Sequence, residues 1–134
     1  MKHVAPQLIV NSVPESVEYY TKKLGFKVEW IHEHNPKFTI ISREGVTLML
    51  RELQEEGHVR PNKVPFVASG WHHSDGKEAW DVYIWVEDAK ALYEELINKE
   101  VSVLKPLSKS EYGNLDFEIE DINGYVLCFG QILD

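Results

Sequence analysis

One strand, turn and strand pattern occurs twice in this chain. The stretch from Phe38 to Leu50 aligns without gaps on the stretch from Phe117 to Phe129, 79 residues further on (38 against 117). In each copy a polar residue followed by glycine, Glu44-Gly45 or Asn123-Gly124, separates two β-rich runs. That is a strong short-range signal for a hairpin. Upstream, Leu8-Ile9-Val10 matches Ile84-Trp85-Val86 at a spacing of 76 residues (10 against 86), and a helical pattern follows both. The small difference between the two spacings is one loop insertion. A chain with this repeat consists of two copies of one supersecondary unit, which narrows the possible folds sharply.

The first helix is predicted from about Pro14 to Leu24. Ser12 is its N-cap, Glu15 completes a capping box and Gly25 stops it. Val13, Val17, Tyr20 and Leu24 form its apolar stripe. The second helix is predicted from about Ala89 to Lys99, with Asp88 as N-cap and Leu92, Tyr93 and Leu96 facing inward. Strands around 27–32 and 101–104 follow the helices, so each half runs β-α-β-β-β. The expected fold class is α+β: two βαβββ modules forming a curved mixed sheet, with helices on the convex face and a cleft on the concave face. Module one covers about 1–55, a connector about 52–78, and module two about 79–134. With 134 residues and 43% apolar side chains, the chain is expected to be a single domain, since either half alone would be marginal. The connector carries Gly57, Pro61, Pro65 and Gly70 among charges and histidines, and is predicted to be a loop, either a lid or a linker.

Strand side chains alternate between faces, which splits each strand in two. Leu8 and Val10, Leu48 and Leu50, Val82, Ile84 and Val86, and Leu127 and Phe129 make one apolar face, expected to pack beneath the helices. The other face carries Ala5, Gln7 and Ile9, then Thr47, Met49 and Arg51, then Asp81, Tyr83 and Trp85, then Val126, Cys128 and Gly130. Aromatic rings beside Arg and Asp suit a ligand cleft with an apolar wall and a few polar anchors, or a dimer face.

With 22 acidic against 14 basic residues, the net charge is −8. Nucleic acid and anionic membrane would meet mostly repulsion, whereas a cationic ligand would be attracted. No apolar run reaches the length of a bilayer span, the first residues lack a signal-peptide apolar region, and Cys128 is the only cysteine. A cytoplasmic location is expected on these grounds.

The stretch from Leu8 to Phe26, with Ser12, Tyr19-Tyr20 and Leu24-Gly25-Phe26, resembles the opening of vicinal oxygen chelate proteins, the glyoxalase, bleomycin-resistance and dioxygenase superfamily. Asn11-Ser12 stands where that family usually has aspartate. The stretch from Phe117 to Phe129 resembles the family's Asp-Pro-Asp-Gly-Asn hairpin and Glu-bearing strand, with Ile122 in place of the proline. The resemblance implies a homodimer. It also implies metal-ligand positions, one on each of four strands, which fall on Ala5, Met49, Asp81 and Cys128. Of these only Asp81 is a good ligand for a hard metal, and a divalent site needs about three protein ligands. No metal or other cofactor is therefore expected.

The resemblance and the missing ligand set together point to a metal-independent small-molecule binding protein like the bleomycin-resistance proteins, which sequester an antibiotic without altering it. The ligand is expected to be aromatic and cationic, stacking on Trp30, Trp71, Trp80, Tyr83 or Trp85. Gln7, Trp30, Met49, Arg51, Asp81, Tyr83, Trp85 and Cys128 are the candidate lining. Asp116, Glu118 and Glu120 either add negative charge or form a solvent-facing strand edge. Two enzyme alternatives stand beside this. One is a metal-dependent lyase or transferase with unusual ligands from His32, His34, His72 or His73. The other is a metal-free enzyme with Asp81 as a general base. Cys128 has no histidine near it in the pattern to activate it as a nucleophile.

Overall fold

The computed structural model describes residues 1–69 and 77–133. The chain forms two compact units, Met1–Arg60 and Pro61–Asp134. In the first, β1 (Gln7–Val10) leads into α1 (Val13–Lys22), then β2 (Lys27–Ile31), β3 (Phe38–Arg43) and β4 (Val46–Glu52). In the second, α2 (Lys63–Ala68) precedes β5 (Val82–Trp85), α3 (Ala89–Asn98), β6 (Ser102–Lys109), β7 (Asn114–Glu120) and β8 (Val126–Ile132). Each unit holds one four-stranded mixed sheet, in the order β1-β4-β3-β2 or β5-β8-β7-β6. The first strand of each module runs parallel to the last, and the remaining pairs are antiparallel. This is the α+β, twice-repeated βαβββ architecture expected from the repeat.

The two predicted helices, α1 and α3, start as their caps predict. Ser12 is extended and its side chain accepts from the Glu15 backbone N–H at 3.3 Å, while Asp88 Oδ1 accepts from the Ala91 N–H at 2.9 Å. Helix α1 ends at Lys22, about two residues early. Gly25 then takes a positive φ of 71°, and Arg43 Nη1 donates to the Leu24 carbonyl at 2.9 Å. Helix α1 packs on β2, β3 and β4, and α3 packs on β6, β7 and β8. Most of the apolar face of each sheet is buried as expected, although Val82 and Val86 are only half-buried. Val10, Leu48 and Leu50 lie beneath α1 with Tyr20, and Leu127 and Phe129 lie with Leu96 and Ile84. Tyr93 does face inward: its ring meets Phe117 at 5.0 Å, which in turn stacks on Phe129 at 5.1 Å.

Two stretches differ from expectation, both because proline sits where its missing N–H does no harm. The connector contains α2, a short helix with Pro65 in its first turn, where the backbone N–H groups have no partner within the helix. Strand β6 runs past Leu104 to Lys109 in spite of Pro106, because it is the outermost strand of its sheet. Among the described residues no helix is long and apolar enough to cross a membrane.

Candidate functional site

In the first unit, backbone pairing aligns Gln7 with Met49, Met49 with Ile40, and Ile40 with Trp30. Laterally paired residues share a face, so three of the predicted lining residues lie in one row across the sheet. Arg51 joins them: its Nε donates to Gln7 Oε1 at 3.0 Å, and its guanidinium lies 4.4 Å from the centre of the Phe38 ring. Trp30 is half exposed, 6.0 Å from Phe38 and 6.3 Å from His32. An open groove of ≈ 510 Å³ runs beside Trp30, lined by residues 28–34. The rings of His32 and His34 are 6.5 Å apart, but His32 Nδ1 accepts from the Asn35 backbone N–H at 3.1 Å. That bond places the neutral ring's proton on Nε2, the nitrogen a metal would need free. His72, His73 and Trp71 lie outside the described residues.

In the second unit the equivalent row is Tyr83, Cys128, Glu118 and Lys105, paired across β5, β8, β7 and β6. The next row sets Trp85 beside Gly130 and Gly130 beside Asp116. Gly130 has a specific role, since a side chain there would collide with the Tyr83 phenol. Its absence lets the Tyr83 ring lie flat along β8, where the hydroxyl donates to Asp116 Oδ2 at 3.3 Å and accepts from Asn114 Nδ2 at 3.1 Å. Tyr112 donates to the same Oδ2 at 2.8 Å, and Lys105 Nζ pairs with Oδ1 at 2.8 Å. Trp85, Tyr83, Trp80 and Tyr112 thus form a run of neighbouring rings, with successive centroids 4.7, 4.8 and 6.5 Å apart. Trp85 and Tyr112 are exposed at its two ends.

Beneath the rings, Asp116, Glu118 and Cys128 are fully buried. Of the three acids suggested for this strand, Asp116 and Glu118 are therefore interior rather than a solvated edge, while half-buried Glu120 pairs with Lys63 at 2.7 Å. Glu118 Oε1 accepts from the Glu78 backbone N–H at 2.9 Å. Its Oε2 and Trp80 Nε1 are buried with no partner within hydrogen-bonding distance, although the indole lies close enough to favour the carboxylate. Burial pushes the Cys128 thiol well above its usual range, and the charges of Asp116 and Glu118 add to this. Burial also raises Tyr83 and Tyr112, helped by Asp116. Lys105 is lowered by burial but raised on balance by its bond to Asp116 and by the nearby carboxylates.

Asp81 sits at the edge of this unit's site in a structural position. Oδ1 accepts from the Asn62 N–H and Oδ2 from the Val126 N–H, both at 2.8 Å. Burial raises its pKa against the pull of those amides and Lys63. At the family's metal positions, then, Ala5 has no donor and Met49 offers a thioether. Both oxygens of Asp81 are engaged by backbone, and burial holds Cys128 as a neutral thiol. This set does not fit a divalent cation. Among the described residues no group of three or more His, Cys, Asp or Glu side chains is placed to hold one.

Lys105, Tyr112 and Asn114 were absent from the residues expected at the site. The alternation of Asn114, Asp116, Glu118 and Glu120 against Leu115, Phe117 and Ile119 could have placed the polar face of β7 on the Cys128 side. Lys105 and Tyr112 had no such signal, because register shifts interrupt β6 on both sides of Lys105 and Tyr112 lies in a turn.

Two βαβββ modules, each with one four-stranded mixed sheet, define the fold class. The chain belongs to the glyoxalase, bleomycin resistance protein and dioxygenase superfamily, whose sequence profile matches residues 1–129. Several solved structures are similar in fold. TioX from Micromonospora sp. ML1 is 14% identical with a TM-score of 0.75, covering 99% of this chain and all of that one. A protein of unknown function from Agrobacterium tumefaciens is 20% identical with a TM-score of 0.64, covering 99% of this chain and 95% of the other. A superfamily member from Sphaerobacter thermophilus is 16% identical with a TM-score of 0.66, covering 98% of both. At these identities the likeness is one of fold alone. No curated protein matches the sequence.

Proposed function

We propose that the chain is a metal-independent binding protein that sequesters a flat, cationic small molecule in the manner of bleomycin-resistance proteins. The observation that carries this is the run of rings Trp85, Tyr83, Trp80 and Tyr112 above buried Asp116 and Glu118. Aromatic faces attract cations and stack on flat heteroaromatics, and the excess of carboxylate over Lys105 beneath them strengthens that preference. Arg51, Phe38 and Trp30 give the first unit a second aromatic surface. With both Asp81 oxygens engaged by backbone amides, a binding role is favoured over Asp81 as a base.

The test is a fluorescence titration with metal-free bleomycin in the presence of a chelator. Saturable quenching of tryptophan emission is expected, weakened by about tenfold or more in Trp85→Ala as one stacking ring is lost. No saturable binding of bleomycin, or binding that requires added metal, would sink the proposal.

A further inference from the structure

Asp116 has no accessible surface, so a ligand can meet its carboxylate only if one of the groups covering it moves. Three side chains hold it: Lys105 on Oδ1, and Tyr83 and Tyr112 on Oδ2. Tyr83 is wedged along Gly130 and anchored by Asn114. Lys105 is largely buried on β6 opposite Glu118 and carries the charge that balances Asp116. Tyr112 differs from both. It sits in the turn between β6 and β7, is 54% exposed, and reaches Asp116 through its hydroxyl. The neighbouring Gly113 has φ 89° and open space where a side chain would be. A second acceptor lies on the same face two residues along β7: among the described residues Glu118 Oε2 is buried without a hydrogen bond, the nearby Trp80 indole N–H being itself unbonded. An unmet buried acceptor costs free energy that an incoming donor recovers.

We infer that Tyr112 is a displaceable cover, and that the cationic head of the ligand takes the place of its phenol on Asp116 Oδ2 while a second N–H of the same head satisfies Glu118 Oε2. This rests on the binding function proposed above and narrows its ligand class. The head group must carry at least two N–H donors, as an amidinium, guanidinium or primary ammonium does, and a quaternary ammonium is excluded from this subsite. Aromatic stacking alone would accept either kind of cation, whereas the subsite distinguishes them.

Benzamidinium and phenyltrimethylammonium share a ring and a charge and differ in N–H donors, so both are titrated into the wild type, Tyr112→Phe and Asp116→Asn, with thermal melts confirming that each variant folds. Removing the hydroxyl removes a competitor for Oδ2, so benzamidinium is expected to bind Tyr112→Phe about tenfold more tightly than wild type and Asp116→Asn at least about tenfold more weakly. Phenyltrimethylammonium is expected to bind Tyr112→Phe as it binds the wild type, and to lose less than benzamidinium does in Asp116→Asn, where only the charge beneath the rings is removed. A merely structural Tyr112 would leave benzamidinium affinity unchanged or lowered in Tyr112→Phe, and that result overturns the inference. If neither these cations nor bleomycin binds the wild type, the proposed function fails. The cover is then judged separately by carbodiimide labelling of Asp116, read by peptide mass spectrometry. Labelling that rises severalfold in Tyr112→Ala supports it, and unchanged labelling overturns it.

Discussion

Glu118 shows what a single carboxyl group costs when the sheet closes over it. Burial raises its pKa in the folded chain, against the Glu78 amide, Trp80 and Lys105, which favour the ionised form. A folded carboxyl that holds its proton more tightly than the unfolded chain does reduces stability once ionised. That cost is full above the raised folded pKa, shrinks as pH falls through it, and is gone below the ordinary value of 4.5. Glutamine has no such dependence. As pH is lowered from neutral towards that value, the melting temperature of the wild type is expected to gain on that of Glu118→Gln, by roughly 4 °C for each kcal/mol relieved in a chain of this size. Parallel pH curves for the two proteins would show that Glu118 titrates normally. Neither burial nor its consequence was legible at Glu118 itself, because an acid on a strand reads equally well as solvated edge. Only the neighbours across the sheet, Cys128 and Lys105, decide it.

At the scale of elements, the hairpins and helix caps were the most legible features, because each is dictated within a few residues. Even so, the two aligned hairpins turn differently. Glu44 and Gly45 both take positive φ and close a two-residue turn. The second turn is held by Asp121 Oδ1, which accepts from the Asn123 and Tyr125 N–H groups at 2.8 and 2.9 Å, with only Gly124 of those residues at positive φ. Helix α2 escaped notice because it is short, has no buried residue and is held from outside. Asp81 ties its start at Asn62 to the first residue of β8, and Lys63 pairs with Glu120. Asparagine at position 81 offers one acceptor where two are needed. Asp81→Asn is therefore expected to lose about 1–3 kcal/mol in urea unfolding with bleomycin affinity unchanged. A variant of unaltered stability and altered affinity would instead move Asp81 into the binding site.

For the molecule as a whole, the repeat made the architecture readable, because two matched hairpins and two matched strand and helix pairs leave little choice of topology. The site was only half readable. Alternation along β1, β4, β5 and β8 brought Gln7, Met49 and Arg51 together on one face and Tyr83, Trp85 and Cys128 on another, but a turn residue such as Tyr112 has no period to follow. The net charge of −8 acts at this scale too. Raising salt from about 0.05 M to about 0.5 M is expected to weaken bleomycin binding severalfold while leaving a neutral aromatic unaffected, and a salt-independent affinity would show that overall charge plays no part in capture.

The order β5-β8-β7-β6 carries a consequence for how the chain is made. Strand β8 is the last of its four to leave the ribosome, yet it lies between β5 and β7. Until it emerges, β5 has no neighbour and the β6–β7 hairpin is bare on the β7 side as well as on the outer edge of β6. The same holds on a smaller scale for β4 in the first sheet, which is completed while much of the second is still being synthesised. The first unit therefore has time to assemble alone during translation, while the unit that carries Asp116 and its ring of tyrosines can close only after synthesis has passed Ile132.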